Sequence, residues 1–114
     1  MPFIDSKVTL KLSSNQKETL KTELGKLIST IPGKNESFLM VGFADEYPLY
    51  FAGQELEKGA FIEVKIFGTA SDSALDALTG KICDLYEKEL GIPPKHIYVK
   101  YEFATHWGWN GHNF

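Results

Sequence analysis

The sequence predicts an α+β fold in which a four-stranded mixed sheet carries two helices on one face. Three observations lead there: alternating apolar residues mark strands, two stretches repeat apolar residues at helical spacing, and the order strand, helix, strand occurs twice. The chain has 114 residues, 43% hydrophobic and 24% charged, which suits one packed core. The expectation is therefore a single domain over residues 1–114, with an internal repeat of about 2–53 and 60–106.

The first element is a half-buried strand from Pro2 to Leu10, with Ile4, Val8 and Leu10 on one side and Phe3, Asp5, Lys7 and Thr9 on the other. A helix follows, because Ser13 and Gln16 fit a capping box and Leu20, Leu24, Leu27, Ile28 and Ile31 share one stripe. Pro32-Gly33 stops it. The apolar run Ser37 to Phe43 predicts a second strand, and Leu49 to Ala52, after Pro48, a brief third one. A linker near Gln54 to Gly59 then joins the two halves.

The second half opens with a strand over Ala60 to Phe67, where Ile62, Val64 and Ile66 alternate with Phe61, Glu63, Lys65 and Phe67. Ser71 or Asp72 caps the second helix, Leu75, Leu78, Ile82 and Leu85 form its stripe, and Gly91 with Pro93 ends it. The last strand is His96 to Phe103. Ile31-Pro32-Gly33-Lys34 and Ile92-Pro93-Pro94-Lys95 lead alike into the closing strands of the two halves, which suggests a duplicated β-α-β unit. Right-handed crossovers place both helices on one sheet face.

Alternation assigns Ile4, Val8, Leu39, Val41, Ile62, Val64, Ile66, Ile97, Val99, Tyr101 and Phe103 to the helix-packed face. The opposite face takes Phe3, Asp5, Lys7, Phe38, Met40, Glu63, Lys65, Tyr98, Lys100 and Glu102. That mixture is too apolar for plain solvent and too charged for a second core, as at a wet subunit interface.

Composition narrows the function classes. The net charge is −3 and all 12 cationic side chains are scattered lysines, so nucleic acid is not an expected partner, and an anionic ligand must be held by lysine or backbone N–H groups rather than by a guanidinium fork. No stretch reaches membrane-spanning length, so no membrane partner is expected. The start Met1-Pro2-Phe3-Ile4-Asp5 does not read as a signal peptide, and the default expectation is a cytoplasmic protein. Cys83 is alone, and His96, His106 and His112 lack metal-ligand spacing, so neither a metal nor a cofactor is expected. Cys83 sits beside the second helix's apolar stripe and reads as an inert thiol.

Five blocks, in order along essentially the whole chain, resemble the macrophage migration inhibitory factor family of the tautomerase superfamily. They are Met1-Pro2-Phe3-Ile4, Gly33-Lys34, the segment Phe61 to Ala70, the segment Gly91 to Val99, and Trp107-Gly108-Trp109-Asn110-Gly111-His112-Asn113-Phe114. The resemblance implies a homotrimer whose active sites lie between subunits, and an enzyme whose base is the ring nitrogen of Pro2 after loss of Met1. A free α-amino group has a reference pKa of about 7.7–8.0, and burial beside a lysine favours its neutral, proton-accepting form.

By the same resemblance, Lys34 and the backbone N–H of Val64 would hold a substrate carboxylate or oxygen, and Tyr98 of an adjacent subunit would place it. Phe3, Phe38, Trp107, Trp109 and Phe114 would form an apolar rim for an aromatic ring. Lys100 stands where the family usually has asparagine and brings extra positive charge. Plainer readings stand beside these. Lys34 can serve a helix C-terminus, Tyr98 can be a strand aromatic, Lys100 can join a charge ladder with Glu63, Lys65 and Glu102, and the Trp107, Trp109 and Phe114 cluster can be interface packing.

The implied activity is a phenylpyruvate- or dopachrome-type keto-enol tautomerase acting on a small-molecule substrate. The alternative is a cytokine-like protein that binds a protein receptor and reaches it by export without a signal peptide. A retained Met1 would make the Pro2 nitrogen a tertiary amide and abolish its basicity. The CxxC pair used for thiol chemistry in some relatives is absent, so that activity is not expected.

Overall fold

The computed structural model describes residues Met1–Phe114. Strand β1 (Pro2–Val8) is followed by helix α1 (Ser14–Leu27), strand β2 (Met40–Ala44) and the short strands β3 (Tyr50–Phe51) and β4 (Gln54–Glu55). Strand β5 (Ala60–Phe67), helix α2 (Asp72–Leu90) and strand β6 (Ile97–Ala104) come next, and β7 (Gly108–Trp109) and β8 (His112–Asn113) are the last elements. The main sheet has the order β2-β1-β5-β6. Its central pair is antiparallel with Ile4 opposite Val64, while β2 and β6 run parallel to β1 and β5. This is the expected four-stranded mixed sheet.

Local chemistry sets the helix ends. The Ser13 side chain accepts from the Gln16 N–H and the Gln16 side chain accepts from the Ser13 N–H, so the capping box closes in both directions. Ser71, not Asp72, caps α2 by accepting from the Ala74 N–H. Gly91 ends α2 in the left-handed region, which glycine enters without a Cβ clash.

The core lies between the sheet and the two helices. Ile4, Val8, Ile62, Val64 and Ile66 from the sheet and Leu20, Leu24, Ile28, Leu78 and Ile82 from the helical layer are all fully buried. Alternation did not reveal the polar link in this layer. Ser6, wholly buried on β1, bonds the hydroxyl of Tyr86 on α2 at 2.5 Å, which satisfies two groups that would otherwise be costly to bury. Burial, opposed by that bond, pushes the Tyr86 hydroxyl up to about 12.

The structure corrects several expectations. β1 ends at Val8 rather than Leu10, and β6 begins at Ile97 because Pro94–His96 form a 3₁₀ turn. The second strand starts at Met40, because the Asn35 side chain accepts from the Ser37 N–H at 2.8 Å and caps a 3₁₀ turn over Glu36–Phe38. Phe38 therefore leaves the sheet and stands exposed. The expected linker contains β4, which folds back on β3 through Ala52-Gly53. Phe103, expected in the core, is 45% exposed near the end of edge strand β6. Its neighbour Tyr101 is held under α2 by bonds to Thr79 and to the Leu75 carbonyl. The β7–β8 hairpin was not anticipated.

Candidate active site

The start of β1 opens into a cleft of about 540 Å³ walled by Met1, Pro2, Phe3, Phe38, Met40, Trp107 and Trp109, with Ser37, Leu39 and Gly108 completing it. The antiparallel register makes this cleft. Because Pro2 lies opposite Ile66, the beginning of β1 meets the end of β5, and Phe67 is brought to the first residue of the sequence. The Phe67 N–H donates to the Met1 carbonyl at 3.1 Å. The Lys34 ammonium donates to the Phe67 carbonyl at 2.9 Å. Pro32-Gly33, with Gly33 at a φ of 82°, turns the backbone after α1 so that Lys34 reaches this point.

Pro2 itself is buried. The terminal amine, on Met1 here, is held below its ordinary value first by burial and then by the nearby Lys34 ammonium. An amine in this cleft is neutral over a wider pH range than one in water. It can accept a proton, and the only cation near enough to perturb it can hold an anion.

Aromatic rings line the entrance. Phe38 and Trp109 meet edge to face at 5.5 Å, Trp109 stacks on Phe114 at 6.1 Å, and Phe114 lies 5.6 Å from Phe67. The hairpin carrying Trp109 is fastened at its root by the Phe114 N–H donating to the Trp107 carbonyl. Phe3, Phe38, Trp107 and Trp109 thus wall the cleft directly, while Phe114 supports it through Trp109 and Phe67.

Three expected site residues lie elsewhere in the molecule. Val64 is fully buried in a strand flanked by β1 and β6, so its N–H belongs to the sheet interior and cannot face the cleft. Phe67, three residues on and at the strand end, presents the backbone N–H beside Lys34. The sequence reading missed it, because nothing in the alternation says which residue of β5 will meet the start of β1. Tyr98 is opposite Phe61, five residues from Ile66 along β5 and therefore roughly 17 Å from the cleft. It is exposed and packs with Phe51 and Phe61.

Lys100 also points to the far face, where its ammonium pairs with Glu102 at 2.8 Å, the arrangement of the charge-ladder reading. Nearby, Lys7 bridges Glu63 at 3.0 Å and Asp5 at 3.4 Å. Cys83 is half-buried and its thiol is pushed up by burial, which disfavours the reactive thiolate.

Comparison with known proteins gives a consistent result. The family profile described as macrophage migration inhibitory factor matches residues 1–114. A macrophage migration inhibitory factor of Xenopus laevis is 25% identical over 99 residues, covering 85% of each protein. Among solved structures, Leishmania major MIF2 superposes with a TM-score of 0.93 at 34% identity, covering 100% of this chain and 97% of its own. The macrophage migration inhibitory factor of Toxoplasma gondii gives 0.90 at 22% identity, over 98% of this chain and 99% of its own.

Proposed function

Since the chain belongs to the macrophage migration inhibitory factor family, we propose that it is a keto-enol tautomerase of aromatic 2-oxo acids, with the amine of Pro2, exposed by removal of Met1, as its general base. Membership in this family of the tautomerase superfamily supports isomerase chemistry in general. The observation that carries the particular reading is the cleft at the start of β1, walled by Met1, Pro2 and aromatic rings, where the terminal amine has lowered basicity. There the Met1 carbonyl accepts from the N–H of Phe67, whose own carbonyl accepts from the Lys34 ammonium.

The mechanism follows from those groups. Loss of Met1 removes the carbonyl that now accepts from the Phe67 N–H, so that donor is released together with the Pro2 amine. Lys34 is already anchored by the Phe67 carbonyl and has protons left for a substrate carboxylate. The neutral Pro2 nitrogen takes a proton from the carbon beside the ketone, the electron pair moves onto the carbonyl oxygen as an enolate, and the protonated Pro2 nitrogen returns that proton to the oxygen to give the enol. Proton return in the opposite sense restores the ketone. Positioning by Lys34 and Phe67, and the apolar walls around the reacting carbon, supply orientation and exclude water.

The active assembly in this reading is a homotrimer in which Tyr98 of a neighbouring copy completes the cleft. Exposed aromatics at both ends of the sheet support it, with Phe38, Trp109 and Phe114 at one end and Tyr50, Phe51 and Tyr98 at the other. A patch at one end meeting a different patch on the next copy is a head-to-tail contact, which forms a ring of three when each step turns the next copy by a third of a circle. The proposed location is cytoplasmic.

Intact-mass measurement and enol-to-keto turnover of phenylpyruvate test the proposal together. The expected result is a mature protein lacking Met1 that turns over the substrate, with Pro2→Gly lowering kcat about 10²–10⁴-fold. A mature protein that retains Met1, or full turnover by Pro2→Gly, overturns the assigned base. Family membership also supports a cytokine-like role; receptor binding that survives Pro2→Gly would favour that reading.

A further inference from the structure

The hairpin that walls the cleft turns through Asn110-Gly111, the single Asn-Gly step in the sequence. Both residues have positive φ, 53° and 87°, as a two-residue type I′ turn requires. Both are exposed. A Cβ built on Gly111 would have nothing within 4 Å, so it is the turn geometry, with its φ of 87°, and not packing that calls for glycine there. The other asparagines differ. Asn15, Asn35 and Asn113 precede Gln16, Glu36 and Phe114, whose side chains shield the following nitrogen, and the Asn35 side chain is occupied in capping.

We propose that Asn110 is a self-modification site, where conversion of its carboxamide to a carboxylate rebuilds the hairpin and thereby resets the aromatic wall of the cleft. The Gly111 amide nitrogen forms a bond to the carboxamide carbon of Asn110 and loses its proton. The bond from that carbon to its original nitrogen breaks, and the nitrogen leaves as ammonia, giving a cyclic imide. Water then opens the ring at one of its two carbonyls. One opening leaves aspartate. The other leaves isoaspartate, in which the backbone runs through the former side chain and gains a methylene. No oxidant or cofactor enters the balance.

The consequence follows from the turn. A two-residue type I′ loop matches the twist of its flanking strands, and an inserted methylene breaks that match. The β7–β8 pairs Gly108 with Asn113 and Trp109 with His112 then lose register, and Trp109 loses its edge contact with Phe38. Either product also places a new negative charge next to Trp109, on the wall of a cleft that is proposed to bind a carboxylate. This effect on turnover rests on the tautomerase reading; the modification itself does not.

The test is to age the purified full-length protein at mildly alkaline pH and map its peptides by mass, with an isoaspartyl methyl-acceptor assay in parallel. The expected result is replacement of NH₂ by OH at Asn110 and at no other asparagine, with methyl acceptance that is absent in Asn110→Gly, a variant whose Gly-Gly turn keeps the hairpin. Aged wild type should show a several-fold higher KM for phenylpyruvate with kcat little changed, while aged Asn110→Gly should show neither change. An unchanged Asn110 in the folded protein, when a peptide of residues 107–114 converts fully, overturns the proposal. Conversion without a change in KM overturns the coupling to the cleft. Fresh protein that shows no turnover refutes the tautomerase reading instead, and the mass arm still decides the modification.

Discussion

Two hollows at opposite ends of the sheet have aromatic walls, and they differ in what lies among the rings. The cleft at Pro2 is walled by Met1, which carries the terminal amine and is bonded through the Phe67 N–H to a residue whose carbonyl accepts from the Lys34 ammonium. The hollow beneath the β3–β4 hairpin, about 210 Å³, is walled by Leu49, Tyr50, Phe51, Phe61 and Tyr98, with Lys95 and His96 at its edge. A larger open hollow of about 660 Å³ adjoins it at Phe51, Leu56 and His96. Size and apolarity therefore do not single out the chemical end. What distinguishes the cleft is that a strand begins there beside the end of its antiparallel neighbour, which brings a terminus and strand-end backbone groups together inside an apolar wall.

The comparison is sharpened most by Lys34→Ala. Loss of a charge-assisted contact of about 1.5–3 kcal/mol should raise KM for phenylpyruvate roughly tenfold or more. The same change removes the cation that helps hold the terminal amine down, so its pKa should rise. In the proposed mechanism activity depends on the neutral amine and is lost as pH falls through that pKa. The acidic limb of the kcat/KM profile should therefore move to higher pH, measured by initial rates across the neutral range. An unmoved limb would separate Lys34 from the amine.

A smaller effect is expected at the other end. Tyr98→Phe should raise KM several-fold if Tyr98 completes a neighbour's cleft, although it lies roughly 17 Å from Pro2 in its own subunit. Mixing inactive Pro2→Gly subunits with Tyr98→Ala subunits and allowing exchange should restore activity at sites that pair an intact Pro2 with an intact Tyr98. If mixing restores nothing, or light scattering finds a stable monomer, the two ends act independently and the shared site is wrong.

The smallest effect belongs to the hairpin alone. Ala52 sits at a φ of 51° in the two-residue turn between β3 and β4, where an L side chain is strained by roughly 1–2 kcal/mol. Ala52→Gly relieves that strain and gives back part of the gain as unfolded-state entropy. Thermal unfolding should show a net stabilisation of about 0.5–1 kcal/mol with turnover unchanged. A loss of turnover would mean that the hairpin end shapes the cleft.

How much of this was legible depended on the range of the interactions. The capping box at Ser13 and Gln16, the alternation of Ile62, Val64 and Ile66, and the Gly91 stop are nearest-neighbour chemistry, and each appears where the sequence put it. Phe38 was misplaced because Asn35 captured the Ser37 N–H and turned the backbone off the sheet. Phe103 was misplaced because alternation assigns a face but does not show that the strand lies at an edge.

By itself, the sequence determined the two helices, the long strands and the family likeness, since periodicity, capping and motif order are properties of neighbouring residues. Only the tertiary structure decided that Phe67 rather than Val64 stands beside Lys34, that Tyr98 lies at the far end of the sheet, and that Lys100 is joined to Glu102. Those outcomes depend on register and on which strands become neighbours. Both are fixed by packing between segments far apart in the sequence, where a shift of one residue exchanges every side chain between the core and the open face.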